Sequence, residues 1–327
     1  MDRRDFIRGT GAGLAAQFLP ARSARAQSKY PSSPVRLVVP YAPGGVVDAV
    51  ARIWADRMKP FGTIVVENQG GGGGTIGAGS VAHAKADGYA LLFGDTSSQI
   101  IAPYLMLKPP YDGLKDFAPV SMIATSATAV VVHPSVPAAN LAEFVKYAQG
   151  NQAKLSYASA GTGTVTHLAG ELFKQLANTP GILHVPYRGA GPGLIDLIAG
   201  VVPMMTPNVT SQVLDFHHAG SLRILAVCAP ARLKAAPDIP TAGETLSGLV
   251  AGLTCGVLAP ARTPQAIVDR LSDATRAVVT QSEFELALQA SGLEVRLDAT
   301  PTGAQAFLVA ERQRLIPIIE KAGLQPQ

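Results

Sequence analysis

Two stretches of this 327-residue chain share one layout, an apolar strand that runs into a glycine-rich turn opening a helix. They are Val35 to Asp48 (VRLVVPYAPGGVVD) and Leu155 to His167 (LSYASAGTGTVTH). Each presents bare backbone N–H groups at a helix start, where unpaired donors and the positive end of the helix dipole favour an anion. Two such cups, well separated in sequence, predict a cleft between two lobes that grips one anionic ligand.

The first 26 residues read as an address. Arg3 and Arg4, followed by Asp5, Phe6, Ile7 and Arg8, resemble the twin-arginine export pattern; a mild apolar run from Gly9 to Pro20 and the small-x-small site Ala24-Arg25-Ala26 come next. Cleavage after Ala26 and a periplasmic location are expected. The apolar run is too short and glycine-rich to span a bilayer, which takes about 20 apolar residues.

Arg3, Arg4, Arg8, Arg22 and Arg25 against Asp2 and Asp5 give the leader +3 of the chain's +4, so the mature protein is near +1. That balance offers no footprint for nucleic acid or an anionic membrane surface. Removing 26 of 327 residues leaves 301, a length that favours two lobes over one core. With 47% apolar and 15% charged residues the chain reads as globular, not disordered. Cys228 and Cys255 lie in apolar strand-like runs and read as buried free thiols, although an oxidising compartment permits a disulfide. No Cys or His pair has metal-ligand spacing, so no metal is expected.

Strands are predicted at Val35 to Pro40, Thr63 to Glu67, Ala90 to Gly94, Val120 to Ala124, Ala129 to His133, Leu155 to Ala158, Leu183 to Pro186, Leu222 to Ala226 and Thr254 to Leu258. Helices are predicted at Val46 to Lys59, Leu141 to Gly150, Val165 to Ala177, Gly191 to Gly200, Pro264 to Thr280, Glu283 to Ser291 and Gly303 to Ala322. The alternation indicates an α/β protein with mainly parallel sheets flanked by helices, whose ligands sit beyond the carboxyl ends of the strands. Lobe one is expected over 27–123 plus 254–327 and lobe two over 124–253, with two crossings that let them hinge.

The chain resembles the Bug family, the periplasmic solute-binding receptors of tripartite tricarboxylate transport systems. It does so in order along nearly all of the mature length: YPSSPVRLVVPYAPGGVVDAVAR, VVENQGGGGGTIGA, DGYALLFG, YDGLKDFAPVSMIA, LSYASAGTGTVTHLAGELFK, HVPYRGAGPGLIDLIAG, LRILAVCAPAR and GVLAPARTP. The resemblance implies a two-lobed periplasmic binding protein type II fold, a monomer that closes on a small carboxylate without catalysis or cofactor, and membrane subunits of a transporter or a sensor as partners.

Carried over by position, the first cup is Tyr41, Ala42, Pro43, Gly44, Gly45 and Asp48, with the glycines admitting the ligand to the backbone and Asp48 placed to fix the helix start. The second is Ser159, Ala160, Gly161, Thr162, Gly163, Thr164 and His167, where hydroxyls join the amides and His167 is either structural or a direct contact. Thr96 and Ser97, within DTSS at Asp95 to Ser98, either cap the following helix or offer hydroxyls to the cleft. Arg188 is a cation beside a cup, at a rim or hinge or pairing with carboxylate. Asn208 is a candidate contact on the second-lobe rim. Val46 and Val47 stand where relatives often carry small or hydroxyl residues, and Thr206 and Pro207 precede Asn208 where an aromatic and an aspartate are frequent. Both departures make the site less polar and point to an aromatic or aliphatic monocarboxylate rather than a tricarboxylate.

Two enzyme readings compete. Gly72, Gly74 and Gly77 satisfy G-x-G-x-x-G with Asp95 about 20 residues on, as in a dinucleotide-dependent oxidoreductase. Ser159, Asp196 and His217 follow in hydrolase order, but Tyr157 stands where a nucleophile elbow requires glycine. A structural or adhesion role, by contrast, predicts no enclosed pocket.

Overall fold

The structure is a computed structural model that describes residues 30–296 and 299–326, so the leader and its cleavage site lie outside the described residues. In chain order the elements are β1 (Val35–Val39), α1 (Val46–Arg57), β2 (Ile64–Asn68), α2 (Thr75–Ala82), β3 (Ala90–Asp95), a π-helical turn (Ser97–Ile101) leading into α3 (Ala102–Tyr104), β4 (Phe117–Ala127) and β5 (Ala129–Val132). They continue with α4 (Leu141–Asn151), β6 (Ser156–Ser159), α5 (Val165–Leu176), β7 (Leu183–Pro186), α6 (Ala190–Ile198), β8 (Met204–Met205), α7 (Ser211–His218) and β9 (Arg223–Val227). Last come β10 (Gly252–Pro260), α8 (Gln265–Val279), α9 (Ser282–Gln289), β11 (Glu294–Val295) and α10 (Pro301–Lys321).

Two sheets organise these elements. One has six strands in the order β11-β4-β10-β3-β1-β2, the other five in the order β7-β6-β8-β5-β9. The expectation of mainly parallel sheets needs a correction, because both are mixed: β10 pairs antiparallel with β3 and β4, β11 with β4, and β5 with β8 and β9. The reversals have a plain cause. β4 and β5 form one extended stretch broken at Thr128, so the chain enters the second sheet running out of the first, and β10 brings it back. The Thr128 amide donates to the Ala251 carbonyl at 2.9 Å and the Thr128 carbonyl accepts from the Cys228 amide at 2.7 Å, which ties the crossings together.

The β-branched run of β1 is buried in its sheet, and α1 covers it with Val47, Val50, Ala51 and Trp54, the spacing of one helical face. Trp54 meets Phe93 of β3 with ring centroids 6.1 Å apart, and Phe144 stacks on Phe173 across α4 and α5 at 5.4 Å. Cys228 and Cys255 are buried and unbonded, and burial pushes the Cys228 thiol up to about 12. Among the described residues no helix is long and apolar enough to cross a membrane.

Candidate functional site

The glycine turns of the two halves meet, and between them lies a narrow cavity of about 30 Å³. The half built on the six-stranded sheet contributes Tyr41, Gly45, Val46, Val47, Asp95 and Ser97, and Leu253 at the start of β10. The other half contributes Ala160, Thr164, Val165, Thr166, Ala190 and Asn208. Three helices therefore start at the cavity: α1 after Gly45, α5 after Thr164 and α6 after Gly189. First-turn N–H groups have no partner inside their own helix, so three positive dipole ends converge on one space.

In the first turn, Gly45 precedes α1 in extended backbone, with no side chain capping the first amides. Gly44, at φ +88°, donates its N–H to the Asp48 carboxylate at 3.1 Å. Burial alone would raise the Asp48 carboxyl, but hydrogen bonds from Arg52, from Asn68 and from the Gly44 amide outweigh it and hold the group below its usual value. Asp48 thus braces the turn from behind and does not line the cavity. Tyr41 lines the cavity, but its hydroxyl donates to Asp95 at 2.7 Å. Asp95 also accepts from the Ser97 amide at 3.2 Å and from the Ser98 amide and hydroxyl at 3.1 and 2.8 Å. That carboxylate caps the π-helical turn and holds Ser97 at the cavity wall.

Four amides of the second turn are taken up by its own side chains. The Ala160 amide donates to Thr166 Oγ1 at 2.9 Å, Gly161 to Ser159 Oγ at 3.1 Å, Gly163 to His167 Nδ1 at 3.2 Å, and His167 to Thr164 Oγ1 at 3.2 Å. Since His167 Nδ1 accepts a hydrogen bond, the neutral ring carries its proton on Nε2. The ring stacks on His184 with centroids 4.1 Å apart, and His184 in turn stacks on Tyr157 at 4.8 Å. Burial brings His167 down to about 4 against an upward pull from Glu171, and burial, with the His167 and Lys174 charges, brings His184 to about 3.

Away from the crossings, hydrogen bonds also join the halves directly. The Ala42 amide donates to the Arg188 carbonyl at 3.0 Å, and the Val165 amide, first in α5, donates to Ser97 Oγ at 3.0 Å. A Cβ on Gly73 would overlap the Thr162 carbonyl, and one on Gly163 would stand 2.8 Å from Ala102 Cα, so bare glycine backbone is what lets the turns approach.

Of the residues expected from sequence, Tyr41, Gly45, Ser97, Thr164 and Asn208 line the cavity. Ala42, Gly44, Asp48, Ser159, Gly161, Gly163 and His167 lie in the surrounding shell, engaged as above. Thr96 exchanges hydrogen bonds with the Thr254 backbone at 3.3 and 3.1 Å, and Thr162 and Arg188 are exposed. Sequence reasoning passed over the start of α6 at Ala190, although YRGAGPG is a third turn of the same kind, and over Leu253. The glycine run 70–74 of the dinucleotide reading is packed by protein, with a Cβ on Gly70 standing 2.7 Å from the Arg188 carbonyl. The hydrolase set is dispersed: Ser159, fully buried, bonds His184 Nε2 at 2.7 Å, Asp196 accepts from the Tyr187 hydroxyl at 2.6 Å, and His217 Nδ1 accepts from the Ile224 amide at 3.3 Å.

The chain matches the tripartite tricarboxylate transporter family receptor, TctC, over residues 50–324. It is 37% identical over 302 residues to a protein encoded between tcbD and tcbE in Pseudomonas sp. (strain P51), covering 90% of this chain and 89% of the relative. It is 31% identical over 298 residues to BugT of Bordetella pertussis, covering 90% of each. Among solved structures, the periplasmic binding protein BugD superposes with a TM-score of 0.87 at 32% identity over 91% of this chain and all of BugD. R. palustris Rpa4515 with adipate gives 0.87 at 30% identity, over 91% of this chain and 100% of its own. MatC from Rhodopseudomonas palustris with bound malate gives 0.84 at 31%, over 89% and 100%. The chain shares its fold with the periplasmic binding protein BugD, and it belongs to the TctC receptor family, the Bug proteins.

Proposed function

We propose that this protein is a periplasmic receptor that captures a small carboxylate between two lobes and hands it to the membrane subunits of a tripartite tricarboxylate-type transporter or to a sensor. The lobes follow the two sheets, and export is by the twin-arginine-type leader cleaved after Ala26. The observation that carries the reading is the first turn of α1, which has no side-chain cap and whose Gly45, Val46 and Val47 line the cavity together with Ala190 at the start of α6. Adipate and malate in two relatives of the same fold support a carboxylate as the occupant. Each lobe supplies only part of the donor set, so binding favours the approached state by its differential contacts.

Calorimetric titration of the purified protein against mono- and dicarboxylates tests this. Saturable binding at one site, with a thermal midpoint that rises with ligand concentration, is expected. A panel in which no carboxylate binds overturns the reading.

A further inference from the structure

We infer that Asn208 reads the far end of the ligand and selects a monocarboxylate that carries an uncharged oxygen acceptor, a ketone or amide carbonyl, a few carbons from the carboxylate. This rests on the carboxylate reading of the same cavity.

Among the described residues, buried side-chain atoms without a hydrogen-bond partner occur on Trp54, Gln99, Asn208, Thr263, Thr275 and Arg296. Of these residues Asn208 alone lines the cavity, and the atom is Nδ2, a donor. Asn208 is 6% exposed. Buried donors are nearly always paired, so one left open at a cavity wall marks where a ligand acceptor belongs. Its placement is rigid. Asn208 bridges to Thr128, and its neighbours are pinned by the Ala129 amide to the Pro207 carbonyl and the Val209 amide to the Ala127 carbonyl, both at 2.9 Å. Asn208 and Leu253 therefore stand on the crossing side of the cavity, whereas the glycine turns supply the three helix starts.

The acceptor is uncharged because the wall offers a second carboxylate nothing to balance it. Among the described residues lining the cavity there is no Lys, Arg or His, and the one ionisable acid is Asp95. A carboxylate at the helix starts has three dipole ends; one at Asn208 would have a single amide and the repulsion of a carboxylate enclosed with it. Between the two positions Val46, Val47, Val165 and Leu253 present apolar surface, which suits an alkyl or aryl body. Asn208 is a donor with two N–H groups and no charge, the match for a carbonyl oxygen.

The test is titration calorimetry of the full chain with two matched sets: pentanoate, 4-oxopentanoate and glutarate, then hexanoate, 5-oxohexanoate and adipate. The oxo acid of a set should bind about tenfold tighter than its alkanoate and its diacid, the gain of one new hydrogen bond to a desolvated donor. Asn208→Leu should bring the oxo acid down to the alkanoate. It should leave the thermal midpoint of the free protein unchanged or higher, because the lost amide donor had no partner. Should that variant fail to fold, Asn208→Asp keeps the shape, removes the donor and should place the alkanoate above the oxo acid. A diacid that outbinds its oxo acid, or an oxo preference that survives loss of the amide, overturns the inference and leaves the carboxylate receptor standing. Binding of none of the six acids overturns both.

Discussion

The two glycine turns look alike in sequence and are finished differently in structure. The turn before α5 is closed by its own side chains: Ser159, Thr164, Thr166 and His167 take up its amides, and Ser97 reaches across to take the Val165 amide. The turn before α1 has one such partner, Asp48, which stands behind it and holds Gly44, leaving the amides that follow Gly45 without a side-chain cap. Hydroxyls within a glycine turn therefore do not by themselves mark a ligand contact. In the second turn they take up donors that the first turn leaves without a side-chain cap.

Valine at the two glycines gives the largest contrast. Gly45 has ordinary extended backbone and a Cβ there would stand 3.7 Å from Ala190 Cβ, so Gly45→Val folds but fills the space between two helix starts. Carboxylate affinity should drop about a hundredfold or more, equivalent to about 2.7 kcal/mol, with the thermal midpoint of the free protein unchanged. Gly163 has φ +78° and touches Ala102 of the other half. Gly163→Val should cost stability without any ligand, about 1–2 kcal/mol for the left-handed backbone alone, and prop the halves apart. If both variants lose affinity at unchanged stability, the turns are equivalent and the contrast is broken.

A smaller effect is expected at the contact between them. Ser97→Ala removes the acceptor for the Val165 amide, a bond that joins the two halves. One hydrogen bond is worth about 0.5–1.5 kcal/mol net, so affinity should fall about two- to tenfold and the radius of gyration of the free protein in solution scattering should rise. Thr162→Ala, at an exposed hydroxyl in the same second turn, should change neither. Equal behaviour of the two variants would remove Ser97 from closure.

Much of this frame is legible in the chain because the first glycine turn follows a valine-rich strand and both turns precede helices with a clear apolar face. What was not legible lacks that periodicity. α2 (TIGAGSVA) is made of small residues packed on most sides, so no polar face betrays it. β8 is two residues long and exists through its pairing with β5 and β6. α7 is eight residues, fixed by the Thr210 hydroxyl accepting from the Val213 amide, too short for a periodic signal to rise above its flanks. At the site, the contact of His184 with Ser159, twenty-five residues away, was invisible because the parallel pairing of β6 with β7 makes it.

The smallest effect separates the turns by acidity. His167 and His184 are held at about 4 and about 3 against an ordinary value of 6.5, chiefly by burial; Glu171 pulls His167 upward, and Lys174 pushes both rings down. The unfolded chain takes up these protons as pH falls below 6.5 while the folded second turn refuses them. Stability is therefore fully present above 6.5 and declines as pH falls towards 4, by about 1.4 kcal/mol per pH unit for each proton refused. Asp48 has the same sign in a lower window: its depressed carboxyl stays ionised between pH 6.5 and 4, so what it gives the first turn is lost only below 3.8. His217, also lowered by burial, adds a background slope outside the turns. His184→Phe keeps a flat ring between Tyr157 and His167 but cannot take a proton and drops the bond to Ser159. It should cost about 1 kcal/mol at neutral pH and make the decline between pH 6.5 and 4 shallower by one proton's share. Denaturant unfolding at a series of pH values reads both quantities, and an unchanged slope in the variant would show that the stacked histidines do not set the acid limit of the second turn.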